Sequence, residues 1–390
     1  MFMPVENTFS DKDIFEAVDA LVPQMIRAIQ NIVRIDSVQG SPVPEAPFGA
    51  GVKKALTQAL IDSAELGFAT ENIGNHMGYA SFGSSKEYVC AVGHLDVVPT
   101  GTGWAHEPFG AEIVDGIMYG RGVLDNKGPI YTCLYALVAL KKLGFKPKTQ
   151  IRIIFGCNEE TGFADLEYYL AHQKPPCMGF TPDCKYPVVY AERGRLVVRV
   201  LPHRQTPEDL AELLNDRVLN ARDTGEAFGI AYADEEFGKL QIKNYRVDPQ
   251  LRALEMSISY PAGITADELV SRMRGALPNT CIETITNWDP VRFDRASRLV
   301  QTLQSTYERV TGFDGTPVTT TGGTYAKLMP HIVPFGPSFP GQKGIGHLPD
   351  EWMALDDLVT NAKIYALSFY ELSRQGTHSK EGIVYGYAED

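Results

Sequence analysis

The chain has 390 residues, 44% of them hydrophobic and 22% charged, a globular composition that excludes disordered, collagen-like and coiled-coil chains. Its 36 basic and 48 acidic residues leave a net charge of −12, which argues against nucleic acid as a partner, because that needs a positive footprint. The length suits two or three domains, or one large α/β domain with an insert.

The N-terminal MFMPVENTFSDKD has no basic segment followed by an apolar stretch, so it does not read as a secretory signal. Residues 11 to 34 carry helical periodicity through Ile14, Val18, Leu21, Met25, Ile29, Ile32 and Val33. A second helix is expected over 48–66 and a buried strand over Tyr88–Val92. Leu124–Leu143 starts as a loop and becomes a helix. Its apolar run Ile130–Leu140 is too short to span a bilayer, so no membrane partner is expected. A strand over Gln150–Phe155, a helix over Phe163–Ala171 and a strand over Pro187–Tyr190 complete an α/β layer with a largely buried sheet. The cysteines at 90, 133, 157, 177, 184 and 281 form no C-x-x-C pair. Free buried thiols in a reducing compartment, the cytoplasm, are the expectation.

Residues 195–293 read differently. Arg195–Leu201 alternates as a strand. Thr206-Pro207-Glu208-Asp209 supplies an N-cap, a proline at the first helical position and acids in the first turn, opening a helix to about Leu219. Strands follow over Gly238–Val247 and Leu251–Tyr260, joined through Asp248-Pro249. Thr265-x-x-Glu268 is a capping box for a helix to about Leu277, and Cys281–Trp288 is a last strand. The order βαββαβ is ferredoxin-like. The expected domains are therefore 1–194, an insert at 195–293, and 294–390, where α/β character returns from Tyr307 and helical periodicity is clear from Leu355 to Leu372.

Metal-capable side chains recur near strand ends: His94 and Asp96 in GHLDVVP, Asp125 in GRGVLDNKGP, Glu159 and Glu160 in NEETG, and Asp183 in FTPD. His347 follows far downstream in GHLPDE. Active sites of open α/β sheets lie beyond the carboxyl ends of their strands, so these segments could share one crevice. His94, His347, Asp125, Asp183 and Glu160 offer two imidazoles and three carboxylates, a donor set that suits Zn²⁺, with Mn²⁺ or Co²⁺ as substitutes. Five ligands exceed one tetrahedral catalytic ion and fit two ions if a carboxylate is shared. Glu159, beside a ligand but directed elsewhere, is the candidate general base. Asp96 is placed to orient His94. Singly, each has a plain structural reading as a cap, turn or exposed loop residue; together, their complementary ligand types point to metal.

These segments, with the later GGTYAK and FGPSFPG, resemble the co-catalytic zinc exopeptidases that include carnosinase, aminoacylase and acetylornithine deacetylase, and most of all the bacterial Xaa-His (carnosine-type) dipeptidases. The resemblance implies a zinc-exopeptidase-like three-layer α/β domain with a central mixed sheet and an inserted ferredoxin-like α+β lid. It implies two Zn²⁺ ions per chain: one held by His94, Asp125 and Asp183, the other by Glu160, Asp125 and His347, with Asp125 bridging. It further implies Glu159 as general base, Asp96 as support for His94, and a cis peptide bond after Asp125. The expected activity is amide hydrolysis on a small-molecule substrate, a dipeptide or an N-acyl amino acid. A metal-binding protein with reduced or no catalysis is the competing class, and a homo-oligomer stays open.

The chain departs from that family in the insert. Ser259 stands where the family carries a lid arginine, the lid histidine segment looks deleted, and Lys327 replaces an arginine. His203 and Arg204 are the candidates to replace the lid groups, with Arg292 a weaker one, and Gly323 and Thr324 are further candidate substrate-binding residues. Trp104, Pro108 and Phe109 are expected to wall the crevice or to pack beneath it. His76, His106, His172, His331 and His378 fit no ligand motif.

Overall fold

The computed structural model describes residues 8–219, 221, 224–342 and 344–376. Helices Asp11–Asp19 and Val22–Val33 take up the first periodic stretch. They are separate because Pro23 lacks the N–H that a continuous helix would need and its ring would meet the carbonyl of Asp19. Ser10 caps the first through a reciprocal box with Asp13.

The described residues form two compact units. The first comprises residues 8–189, 295–317 and 324–376; the second comprises 190–294 and 318–323. In the first unit six strands form one mixed sheet in the order Ala69–Ile73, Met77–Phe82, Gln150–Gly156, Tyr88–His94, Met178–Thr181, Ile332–Pro334. The first three are antiparallel neighbours, and the last four run parallel. The central strand Tyr88–His94 is buried at every position, as a strand covered on both faces must be. Helices Lys127–Lys142 and Leu355–Ser373 pack on each other and on the two central strands. No helix among the described residues is long and apolar enough to cross a membrane.

In the second unit four antiparallel strands lie in the order Gln241–Asp248, Ala253–Tyr260, Gly194–Pro202, Thr280–Trp288. With helices Pro207–Leu214 and Ala266–Ala276 this is the ferredoxin-like arrangement. The N-cap Thr206 and the capping box of Thr265 with Glu268 both form as the sequence indicates. The first helix is shorter than expected: a π-turn, Asn215–Leu219, takes over its last stretch. Val318–Thr320 joins a small sheet with Val189–Glu192 and Val291–Arg292, so this segment belongs to the second unit.

Three expectations need correction. The strands Ala69–Ile73 and Met77–Phe82 were not foreseen, and neither was the helix Arg298–Thr311, which begins well before Tyr307. The six cysteines are free, yet only Cys90, Cys133 and Cys157 are buried; Cys177 and Cys184 are half-buried and Cys281 is exposed.

Candidate metal centre

Three of the four parallel strands of the first unit deliver side chains beyond the same end of the sheet. His94 is the last residue of its strand, level with Gly156 of the neighbouring strand. Glu159 and Glu160 lie three and four residues past Gly156, and Asp183 two past Thr181. Asp125 precedes helix Lys127–Lys142 and is joined to Asn126 by a cis peptide bond. His347 comes from the loop before Trp352–Ala354, in the left-handed region at φ 64°.

The side chains converge. His94 Nε2 lies 3.0 Å from Asp125 Oδ1 and 3.5 Å from Asp183 Oδ2. His347 Nε2 lies 3.0 Å from Asp125 Oδ2 and 3.1 Å from Glu160 Oε2. Asp125 thus offers one oxygen to each imidazole. Ligand atoms of His94, Glu159 and Asp183, and of His94, Asp125 and Glu160, each fall within 4.8 Å of one another. An imidazole nitrogen has a single lone pair and cannot be shared between two ions, whereas a carboxylate has two oxygens. Asp125 is therefore the group suited to bridging. His94 Nδ1 is 2.8 Å from the Asp96 carbonyl. A carbonyl only accepts, so Nδ1 carries the proton and Nε2 is turned to the carboxylates.

Asp96 does more than the sequence suggested. Its backbone carbonyl orients His94, while its carboxylate accepts from the N–H groups of Glu159 (3.2 Å) and Glu160 (3.1 Å). One residue thereby fixes both the imidazole and the two acids. Three further residues escaped the sequence reading. Asp165, fully buried, accepts from the N–H groups of Cys157 (2.6 Å) and Asn158 (2.9 Å) and from the Tyr325 hydroxyl. Tyr325 fits only because residue 156 is glycine; a Cβ there would lie 1.9 Å from the tyrosine oxygen. Glu351, fully buried, accepts through Oε1 from the N–H groups of Gly122, Leu124 and Asp125 at 2.9–3.0 Å, and through Oε2 from Arg121 at 2.7 Å. None of these had a local signal, because each acts on partners distant in sequence or on backbone.

The electrostatics follow from packing acids together. Burial and the charge of Asp183 push the Glu159 carboxyl well above the usual range. Burial and Asp125 push Glu160 up to about 7 and also raise Asp183. Burial opposes ionisation of Asp125, but hydrogen bonds from His347 and His94 override it and hold the carboxyl far down. Hydrogen bonds to Asp125 and Glu160 raise His347 to about 11. Burial opposes charge on His94, yet Asp183 and Asp125 carry it well above its ordinary value. So dense a set of acids facing two imidazole nitrogens fits divalent cations of the zinc type.

The remaining candidates supply no ligand atom to these groups. His203 and Arg204 are exposed residues of the second unit, and Arg204 Nη2 is 2.5 Å from Asp209. Both line a cavity of about 400 Å³ within that unit. Arg292 pairs with Glu236 at 3.3 Å. Ser259 is buried, with its hydroxyl 3.4 Å from the Thr321 carbonyl. Gly323 is exposed and belongs to the second unit. Thr324, in the first, caps the short turn Tyr325–Lys327. Trp104 lies under the Arg121 guanidinium and Phe109 near the Lys127 ammonium, so both pack beneath the loop that carries Asp125. His76 stacks on Tyr168 and His106 on Tyr119, while His172 and His331 contact backbone carbonyls. His378 lies outside the described residues.

The sequence profile of Peptidase family M20/M25/M40 matches residues 90–371. The Beta-Ala-Xaa dipeptidase of Lactobacillus delbrueckii subsp. lactis is 27% identical, with 93% of this chain and 99% of the relative covered. That alignment spans 465 residues against the 390 of this chain, so the relative carries segments absent here. Among solved structures, human carnosine dipeptidase 1 superposes with a TM-score of 0.71 at 16% identity, covering 94% of this chain and 100% of its own. The di-peptidase Dug1p from Saccharomyces cerevisiae gives 0.70 at 17% identity, covering 94% and 99%.

Proposed function

Because the chain belongs to peptidase family M20/M25/M40 and is a metal-dependent peptidase, we propose that it is a dinuclear zinc dipeptidase with Glu159 as its general base. The observation that carries this reading is the convergence of four ligand residues around Asp125, whose two oxygens each meet a different imidazole. His94, Asp125 and Asp183 would hold one ion, and His347, Asp125 and Glu160 the other. Two such ions supply Lewis acidity that polarises an amide carbonyl and acidifies a water molecule. Glu159 takes the proton from the attacking water and delivers it to the departing amine as the C–N bond breaks. Its raised carboxyl affinity for protons suits a group that must hold one midway through turnover. Asp96 keeps Glu159 and Glu160 in register by accepting both of their N–H groups. Similarity to the Beta-Ala-Xaa dipeptidase supports dipeptides as the substrate class. Six free cysteines suit a reducing compartment such as the cytoplasm.

Two measurements test the reading. Glu159→Gln should keep its zinc, measured by elemental analysis of the purified protein, while dipeptide hydrolysis falls about 10²–10⁴-fold. Unchanged hydrolysis in that variant would rule out the assigned base. A panel of dipeptides against N-acyl amino acids separates peptidase from deacylase.

A further inference from the structure

Four consecutive backbone N–H groups, from Cys157 to Glu160, each donate to a buried carboxylate. Asp165 Oδ2 accepts the first two, at 2.6 and 2.9 Å. Asp96 accepts the last two, at 3.2 and 3.1 Å. The segment that carries Glu159 is therefore gripped at both ends. Amides of a turn lack a ladder partner and need an acceptor when buried, and a charged acceptor makes the stronger bond. Asp96 holds the end at Glu160. Asp165 holds the end that leaves strand Gln150–Gly156.

Asp165 is itself anchored. It lies in the first turn of helix Ala164–His172, and its Oδ1 accepts the Leu166 N–H at 2.7 Å. Asn158 returns the grip on that turn. Its carbonyl accepts the Phe163 N–H at 2.9 Å, and its side-chain oxygen accepts the Ala164 N–H at 3.0 Å. Glu159 thus sits in a loop closed on itself. A further donor comes from far along the chain: the Tyr325 hydroxyl donates to the same Asp165 Oδ2. Tyr325 is fully buried, and its ring stands edge-on to His94, with centroids 6.5 Å apart, and packs on Phe163 at 5.6 Å. One rigid side chain therefore reaches from an imidazole of the metal centre to the carboxylate that holds the Glu159 loop. Its hydroxyl passes over Gly156, where a Cβ would come within 1.9 Å.

We propose that Asp165 and Tyr325 are positioning residues for hydrolysis: Asp165 sets the Glu159 carboxylate against the attacking water, and Tyr325 locks Asp165 in place. The inference rests on the reading of Glu159 as general base and adds what aims it. Proton transfer depends on hydrogen-bond reach between the base and the water. A displacement of about 1 Å at a reacting group can cost about a hundredfold in rate. Asp165 acts through the backbone on the residue next to Asn158, whereas the ligand Glu160 is one position further and is held by Asp96. Loss of Asp165 or of the Tyr325 hydroxyl should therefore disturb the base and spare the metal.

The test uses the zinc-loaded full chain and one hydrolysed dipeptide. Tyr325→Phe keeps the ring and removes the hydroxyl; Asp165→Asn keeps the shape and removes the charge. Tyr325→Phe should lower kcat by about tenfold and Asp165→Asn by about a hundredfold, with KM little changed and zinc content, by elemental analysis, as in the unmodified protein. A double-mutant cycle separates positioning from a merely structural role. If the hydroxyl acts through the base, adding Tyr325→Phe to Glu159→Gln should leave the residual rate of that variant unchanged. A second loss of the same size in the Glu159→Gln background overturns the proposal. So does an unchanged kcat in Tyr325→Phe, or a loss of zinc from it, which would tie the tyrosine to His94 instead. If Asp165→Asn fails to fold, the Tyr325 cycle decides alone. Full hydrolysis by Glu159→Gln would instead overturn the reading of the base, and absence of hydrolysis of every dipeptide by the unmodified chain would overturn the peptidase reading.

Discussion

At the scale of single residues, the metal centre without metal is a proton store. Asp125 and Glu160 hold His347 at about 11, and carboxylates likewise raise His94. Both shifts favour the protonated imidazoles, with protons on the nitrogens that a cation would need. Metal must displace them, so uptake releases protons and apparent affinity rises with pH. Calorimetric titration of the metal-free protein with Zn²⁺ near pH 7, in two buffers of different ionisation enthalpy, should report about one to two protons released per chain. Proton-neutral uptake would mean that the imidazoles are already unprotonated before metal binds. The residues in this centre were legible in the sequence because each sits in a short local motif after a strand. Their pairing was less so. That Asp96 acts through both its carbonyl and its carboxylate follows only from the position of Glu159 and Glu160, more than sixty residues on.

At the scale of elements, one buried carboxylate holds the loop that presents Asp125. Glu351 collects three backbone N–H groups and the Arg121 guanidinium, and the same loop segment carries His347 four residues earlier. Removing it leaves a buried cation and three unmet donors. Breaking such a pair on one side typically costs about 3–5 kcal/mol. Glu351→Ala should lower the thermal midpoint by several degrees and weaken zinc binding, both read on the same purified protein. Glu351→Gln, which keeps an acceptor oxygen, should lose less. An alanine variant with wild-type midpoint and zinc affinity would remove Glu351 from this role. The motif containing Glu351 was visible in the sequence, but its role was not, because its donors lie 226–230 positions upstream. Other elements were hidden for other reasons. Strand Ala69–Ile73 is exposed at four of its five positions and so lacks an apolar alternation. Helix Arg298–Thr311 has a clear buried stripe of Leu299, Val300, Leu303 and Tyr307, but it begins directly after the insert, where the sequence reading placed no helix. The two capping motifs of the second unit, by contrast, act through neighbours three residues away and were readable directly.

At the scale of the whole molecule, each compact unit has its own core. That of the second is built from residues such as Leu196, Val198, Ile242, Met256, Ile258 and Leu269. All the side chains proposed to face metal belong to the first. Bound ions stabilise only what they bind, by RT ln(1 + [L]/Kd), about 2.7 kcal/mol at a hundredfold excess over Kd. In a unit of this size each kcal/mol moves the midpoint by about 2–4 °C. Differential scanning calorimetry with and without chelator should therefore show the transition of the first unit falling by about 5–10 °C, while that of the second stays in place. Tryptophan fluorescence can assign them. Of the three tryptophans, Trp104 and Trp352 lie in the first unit and Trp288 in the second, so Trp288→Phe leaves only the first unit reporting. Its fluorescence midpoint should then move with zinc by the full calorimetric shift. A single transition that moves as a whole would show instead that the insert and the metal-bearing unit unfold as one cooperative body.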